Sequence, residues 1–257
     1  MITFITATYQ RGHLLNFVYQ SLVQQGDSDI QWIIVDDGST DNTEDVVNSF
    51  KVEANFEIVF LRQSNSGKHV AINTAADHIS RDFVMILDSD DSLTHDALNI
   101  FKLHHNQITE TMTGVAFRCK DKSSALIGNC HIGQITTRPL FVGNFCSGDL
   151  AYIFKSTIFR KYKFPVFNNE KFVPELLIWN KICDHGEILY ILDKAICVVE
   201  YLADGLSFNF SSNLRKNPRG FLEFYKDNLS RPVSFKVWCK SALRCLQCIA
   251  YIVKKKI

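Results

Sequence analysis

The chain lacks most of the features that would name a partner at once. Its 28 Lys and Arg against 27 Asp and Glu leave a formal charge of +1, so no global field selects nucleic acid or any other polyanion. An anion bound here is bound locally. No run reaches the roughly 18–20 apolar residues needed to cross a bilayer. Eight cysteines are dispersed, and only Cys245 and Cys248 stand close together. Without a second pair at zinc-site spacing, no structural metal is expected. The opening "MITFITATY" reads as a strand and lacks the charged n-region of a signal peptide. Free thiols and no export signal predict a reducing cytosol. Internal repeats and low-complexity segments are absent too.

What is present is an ordinary globular balance, 46% hydrophobic and 21% charged over 257 residues. That length fits one large domain or a domain with an appendage. The first hundred residues alternate between short apolar runs and helix-prone stretches. "ITFITA", "IQWIIVD", "FEIVFLR" and "FVMILD" read as strands, each followed by a helical segment. Their strands are continuously apolar rather than alternating, which implies a mostly parallel sheet covered on both faces.

Ligands of such sheets sit beyond the carboxyl ends of the strands. Four polar clusters, "ATYQRG", "DDGSTDN", "RQSNSGK" and "DSDDS", each follow a strand's carboxyl end, so they are expected to converge on one edge. "LDSDDS" crowds Asp88, Asp90 and Asp91 into four residues. Like charges this close repel. A helix cap needs one carboxylate, whereas a divalent cation needs several oxygens, and Mg2+ or Mn2+ suits one or two carboxylates plus substrate phosphates. In the second cluster Asp41 or Thr43 can cap the helix that follows, but Asp36 and Asp37 lie before the turn and are left over. A carboxylate there can accept hydrogen bonds from a base or a ribose.

"ITATYQRGHLL", "IIVDDGSTDNT", "NSGKHVAINTA" and "MILDSDDSLTHDAL" together resemble, in order and spacing, the family 2 glycosyltransferases of bacterial surface-polysaccharide type. The resemblance covers about the first 105 residues strongly. It implies the GT-A fold, an α/β, Rossmann-like sheet flanked by helices. It also implies transfer of a sugar from a nucleotide diphosphate donor. On it, Thr8 and Tyr9 hold the nucleobase, and Asp37 accepts the imide N–H of a uracil, which favours a UDP-sugar. Gly67 and Lys68 meet a phosphate or the base. Asp88 and Ser89 contact the ribose side, and Asp90 is the metal ligand with Asp91 as a second. Gln10, where relatives carry Asn, and His95, where many carry Pro, depart from the pattern and leave substrate detail open.

After about Ile108 the rhythm breaks. "TGVAFRCKD" and "QITTRPLFVG" read as strands, "GDLAYIFKSTIFRKYKFP" as a strand and a helix, "PELLIWNKICDHG" as a helix, and "EILYIL" and "AICVVEY" as two strands. "NNEKFVPELLIWNKI" is similar to a bacterial subset in which a Pro-Glu opens a helix with Trp. That likeness makes Glu175 the general base, with Glu170 and Asp149 as competitors. Trp179 lies one turn on and could stack on a sugar or pack in the core. "ADGLS" (Ala203–Ser207) is similar to a loop that closes over the donor and equally reads as an Asp-Gly turn.

The layout expected is a donor half over residues 1–108, an acceptor half of the same domain over 109–233, and a basic amphipathic helix over 234–257. That last stretch holds Lys236, Lys240, Arg244, Lys254, Lys255 and Lys256 and no acid. Phe235, Trp238, Leu243, Leu246, Ile249 and Ile252 recur at helical spacing. Such a helix can rest on an anionic membrane, at the inner face of the cell membrane, or pack on the domain. The activity expected is inverting, metal-dependent transfer (Mn2+ or Mg2+) from a UDP-sugar to a hydroxyl of a glycan or lipid-linked acceptor. The alternatives are a non-catalytic sugar-nucleotide-binding or scaffolding subunit, or a nucleotidyltransferase. The latter would normally show a glycine-rich basic phosphate loop, and only "NSGK" is present.

Overall fold

The computed structural model describes residues 1–200 and 210–255. The first half runs β1 (Ile2–Thr8), α1 (Leu15–Val23), β2 (Ile30–Asp36), α2 (Thr43–Glu53), β3 (Glu57–Arg62), α3 (Lys68–Ala76), β4 (Phe83–Ile86), a two-residue strand β5 (Ser92–Leu93) and α4 (Ala97–His104). The second half runs β6 (Met112–Lys120), β7 (Gln134–Thr137), α5 (Pro139–Val142), β8 (Leu150–Lys155), α6 (Ser156–Phe159), α7 (Leu176–Ile182) and β9 (Glu187–Val198). It ends with α8 (Phe210–Lys216), α9 (Pro218–Leu229) and α10 (Phe235–Lys254).

Every residue of β2 is buried, which its run of Ile, Trp and Val makes favourable only between two covering layers. Phe4, Trp32 and Ile34 face one layer, with Leu15, Val18, Val47 and Phe101 packed on them. Ile5, Ile33 and Val35 face the other, against Ala71 and Ile72 of α3 and Leu177 and Ile182 of α7. Alternation of side chains along each strand sorts these two sets.

The sheet order is β3-β2-β1-β4-β8-β6-β9-β5, with β7 beside β9. β3, β2, β1 and β4 are parallel, as the first-half rhythm implies. Beyond them the sheet is mixed: β8 runs antiparallel to β4 and β6, β9 runs parallel to β6, and β5 and β7 run antiparallel to β9. No long helix crosses the sheet between β6 and β8, so β8 returns in the opposite sense.

Three local expectations change. "QITTRPLFVG" is a strand only to Thr137, because Pro139 takes the first position of α5. "EILYIL" and "AICV" form one twelve-residue strand, and the irregularity between them is absorbed as register shifts against β6. Cys130 and Cys146, expected as free thiols, stand opposite each other in a bridge and are disulfide-bonded. The other six cysteines are free.

The register aligns Thr8, Asp36 and Arg62 across the ends of β1, β2 and β3. The four polar clusters therefore do meet at one edge.

Candidate active site

Thr8 closes β1. Its hydroxyl is buried and has no hydrogen-bond partner among the described residues, while its carbonyl accepts the Asp37 N–H at 2.8 Å. A buried orphan hydroxyl is costly. Tyr9 next to it is 46% exposed. Gln10 adopts a left-handed φ of 56° and ties the first two loops together. Its N–H donates to Ser39 Oγ at 2.8 Å, its Nε2 to Thr40 Oγ1 at 2.8 Å, and its Oε1 accepts from the Thr40 and Asp41 N–H groups at 3.2 Å each. The residue that departs from the family pattern is thus the latch between two loops.

The paired acids of "VDDGS" divide the work. Asp36 accepts from the Ser39 N–H at 2.8 Å and braces the turn through Gly38, whose φ is 84°. Asp37 is buried and accepts from Gln63 Nε2 and the Ser66 N–H at 2.8 Å and from the Gly67 N–H at 2.7 Å. It is anchored to the third cluster through Gln63, a residue that sequence reasoning passed over. Asn42 is the N-cap of α2 and its side chain makes no cap hydrogen bond; Asp41, one residue earlier, accepts the Thr43 N–H on its Oδ1 at 3.1 Å.

Gly67 has φ 98°, and a Cβ there would lie 2.2 Å from the Lys171 carbonyl oxygen. Only glycine permits that conformation and approach. The start of α3 is thereby pressed against the backbone at Lys171. Lys68 follows and spans both halves: its Nζ lies 2.6 Å from Asp88 Oδ1 and 2.7 Å from Glu175 Oε1. Burial pulls its pKa down, yet Asp88 and Glu175 together hold it well above the ordinary lysine value.

The acid-rich turn after β4 has its own cation. Arg11 Nη1 lies 3.0 Å from Asp90 Oδ2 and 3.4 Å from Ser89 Oγ. Burial and the neighbouring Asp88 push the Asp90 carboxyl up, against the opposing pull of Arg11. Asp91, whose Oδ1 accepts the Glu200 N–H at 3.4 Å, is pushed up to about 8 by burial and then by Asp88 and Asp90. This oxygen-only set, crowded enough to hold a proton, fits a hard divalent ion completed by phosphate and water. Among the described residues, no three His, Cys, Asp or Glu side chains already converge as a metal site. Arg11 was missed in the sequence, though it is the one cation in "ATYQRG".

In the second half of the chain, Glu175 stands at the N-terminus of α7, where the Trp179 N–H bonds its carbonyl at 3.1 Å. Its competitor Glu170 is occupied elsewhere. That buried carboxylate accepts the Arg219 N–H at 2.8 Å and the Gly220 N–H at 3.0 Å, capping the start of α9. Trp179 is core, packed on Phe154 with ring centroids 4.8 Å apart. Asp149 is exposed, next to Gly148 with φ 91°. "ADGLS" and Lys256 lie outside the described residues.

The sequence profile described as Glycosyl transferase family 2 matches residues 3–162. A GalNAc(5)-diNAcBac-PP-undecaprenol beta-1,3-glucosyltransferase of Campylobacter jejuni is 25% identical over 251 residues, 93% of this chain and 79% of the relative. Other bacterial glycosyltransferases match over less of their own length, 28%, 14% and 39% in three cases. Among solved structures, Staphylococcus aureus TarS 1–349 in complex with UDP-GlcNAc superposes with a TM-score of 0.68 at 16% identity, over 97% of this chain and 72% of that one. The mannosyltransferase PcManGT of Pyrobaculum calidifontis, in complex with GDP-Man and Mn2+, superposes with a TM-score of 0.63 at 18% identity, over 98% and 74%. Both are likenesses of fold.

Proposed function

The chain belongs to glycosyl transferase family 2, and from that premise we propose that it moves a sugar from a UDP-linked donor to a hydroxyl of a glycan or lipid-linked acceptor, with inversion. The Campylobacter relative acts on an undecaprenol-linked glycan, and TarS binds UDP-GlcNAc; both support this choice of substrates. The observation that carries the reading is Lys68, whose ammonium joins Asp88 of the donor edge to Glu175 of the acceptor segment.

In this reading the nucleobase lies along Thr8, Tyr9 and Asp37, and the ribose reaches Asp88 and Ser89. The Thr8 hydroxyl gains the partner it lacks. Asp90, with Asp91 beside it, would hold a divalent cation, which when bound neutralises charge building on the departing diphosphate. Lys68 and Gly67 meet the phosphates from the start of α3. Glu175 takes the acceptor hydroxyl proton as the new oxygen–carbon bond forms and the bond to the diphosphate breaks. One displacement inverts the anomeric centre, and the nucleoside diphosphate leaves carrying the bonding pair.

For the proton to move, Glu175 has to shed part of its pairing with Lys68. A diphosphate drawing Lys68 toward itself does that, so the base becomes free when the donor is seated.

The test is a panel of sugar nucleotides with Mn2+ or Mg2+. A UDP-sugar should raise the melting temperature, and UDP should be released only when an acceptor is added. Equal release without acceptor, or no stabilisation by any nucleotide sugar, overturns the reading.

A further inference from the structure

α10 carries three separate faces. Ser241, Cys245 and Cys248 are buried, and the two cysteines form, with Leu214 of α8 and Phe221 and Tyr225 of α9, a small core of their own. At 100° per residue, Phe235, Trp238, Leu243, Leu246, Ile249 and Val253 fall on the adjoining arc. They stay exposed after that packing, Phe235 at 81% and Leu246 at 65%. Lys236, Lys240 and Lys254 occupy the arc beyond. The packing therefore consumes a stripe of small and sulfur-bearing residues and leaves the larger apolar stripe uncovered. Ile252, placed by spacing among the exposed set, is half-buried, and Val253 takes its place.

We propose that α10 is a membrane-docking helix, seating this apolar stripe in an anionic phospholipid surface with Lys236, Lys240 and Lys254 among the headgroups. Charge complementarity decides the occupant: from Ser234 to the end of the sequence there are six basic residues and no acid. A protein partner or second copy would have to bring its own acidic border, and an anionic bilayer supplies both the charge and the apolar layer. The helix is about 30 Å long, and no helix among the described residues is long and apolar enough to cross a membrane. It lies on the surface rather than spanning it.

The docking also has a direction. α10 packs on α9, the first turn of α9 is capped by Glu170, and Gly220 of α9 abuts the Phe172 carbonyl, where a Cβ would come within 2.4 Å. Residues 170–175 end at Glu175. The membrane helix and the base are therefore held through one packed segment, which suits an acceptor presented from the lipid surface; this last step rests on the proposed function.

The test uses the full chain with vesicles of phosphatidylglycerol and phosphatidylcholine, and of phosphatidylcholine alone. Trp32 and Trp179 are buried, whereas Trp238 is 45% exposed, so tryptophan emission reports on α10. Anionic vesicles should shift it to the blue and carry the protein down on sedimentation. Leu246→Glu with Ile249→Glu should weaken binding at least about tenfold, and Lys236→Gln with Lys240→Gln should weaken binding to anionic vesicles about thirtyfold while leaving the weaker binding to neutral lipid unchanged. Transfer to a soluble acceptor should be unchanged in both. Unshifted emission with anionic vesicles, binding unaffected by the double glutamate variant, or self-association by light scattering without vesicle binding overturns the proposal. Absence of transfer in the wild-type chain faults the catalytic reading instead and leaves the vesicle result standing.

Discussion

Arg11 Nη1 stands 3.0 Å from Asp90 Oδ2, and both side chains are largely shielded from solvent. The acid proposed to bind the metal already has a cation of the chain's own. A divalent ion has to displace or share that contact. Arg11→Gln should bind Mn2+ alone, without nucleotide, about 3- to 10-fold more tightly, on the scale of a partly buried ion pair. Titration calorimetry checks this. Unchanged affinity would mean that Arg11 and the ion do not compete.

Gly67→Ala should cost about 1–3 kcal/mol in urea unfolding, because a Cβ meets the Lys171 carbonyl oxygen at 2.2 Å and φ is 98°. It should also weaken donor binding, since Lys68 moves with the turn. A fully stable variant would show that the 67–171 approach is loose.

Glu170→Gln should lower stability by about 1–2 kcal/mol by removing a charge-assisted cap from α9. Turnover per folded molecule should be kept. Loss of turnover at full stability would instead move the base to Glu170.

Burial pulls the His69 imidazole below the ordinary value of 6.5, against the opposing influences of the Lys171 backbone and Asp37. Below that value the unfolded chain takes up a proton that the folded chain resists. This contribution to stability is therefore complete above pH 6.5 and is lost as pH falls toward the depressed folded value. The loss is at most about 1.4 kcal/mol per pH unit. His69→Asn should show a shallower fall between neutral and mildly acid pH in denaturant midpoints. Equal slopes would show that His69 is not the group responsible.

Much of the polar edge was legible because parallel strands carry their ligands at their carboxyl ends, so the four clusters had one place to go. Thr8, Asp37, Lys68 and Asp90 each lie at or just beyond such an end. The partners of those residues were not legible. Gln63 reaching Asp37, Arg11 reaching Asp90 and Glu170 capping a helix some fifty residues later are contacts between segments that no local pattern encodes. Trp179 shared a helix face with Glu175, but spacing does not say whether that face meets solvent or core; Phe154, Phe159 and Phe164 make it core. The Cys130–Cys146 pairing depended on two loops of the second half meeting each other. Amphipathic spacing found α10, while only its packing on α9 separated the covered stripe from the open one.

The central claim is that Glu175, held by Lys68 until the donor arrives, takes the acceptor proton. Glu175→Gln keeps the side chain's shape and removes its basicity, so its kinetics read the claim directly. UDP-sugar affinity should stay within about threefold of wild type while kcat falls by a factor on the order of 10²–10⁴. Turnover near the wild-type rate, with donor binding intact, would contradict it.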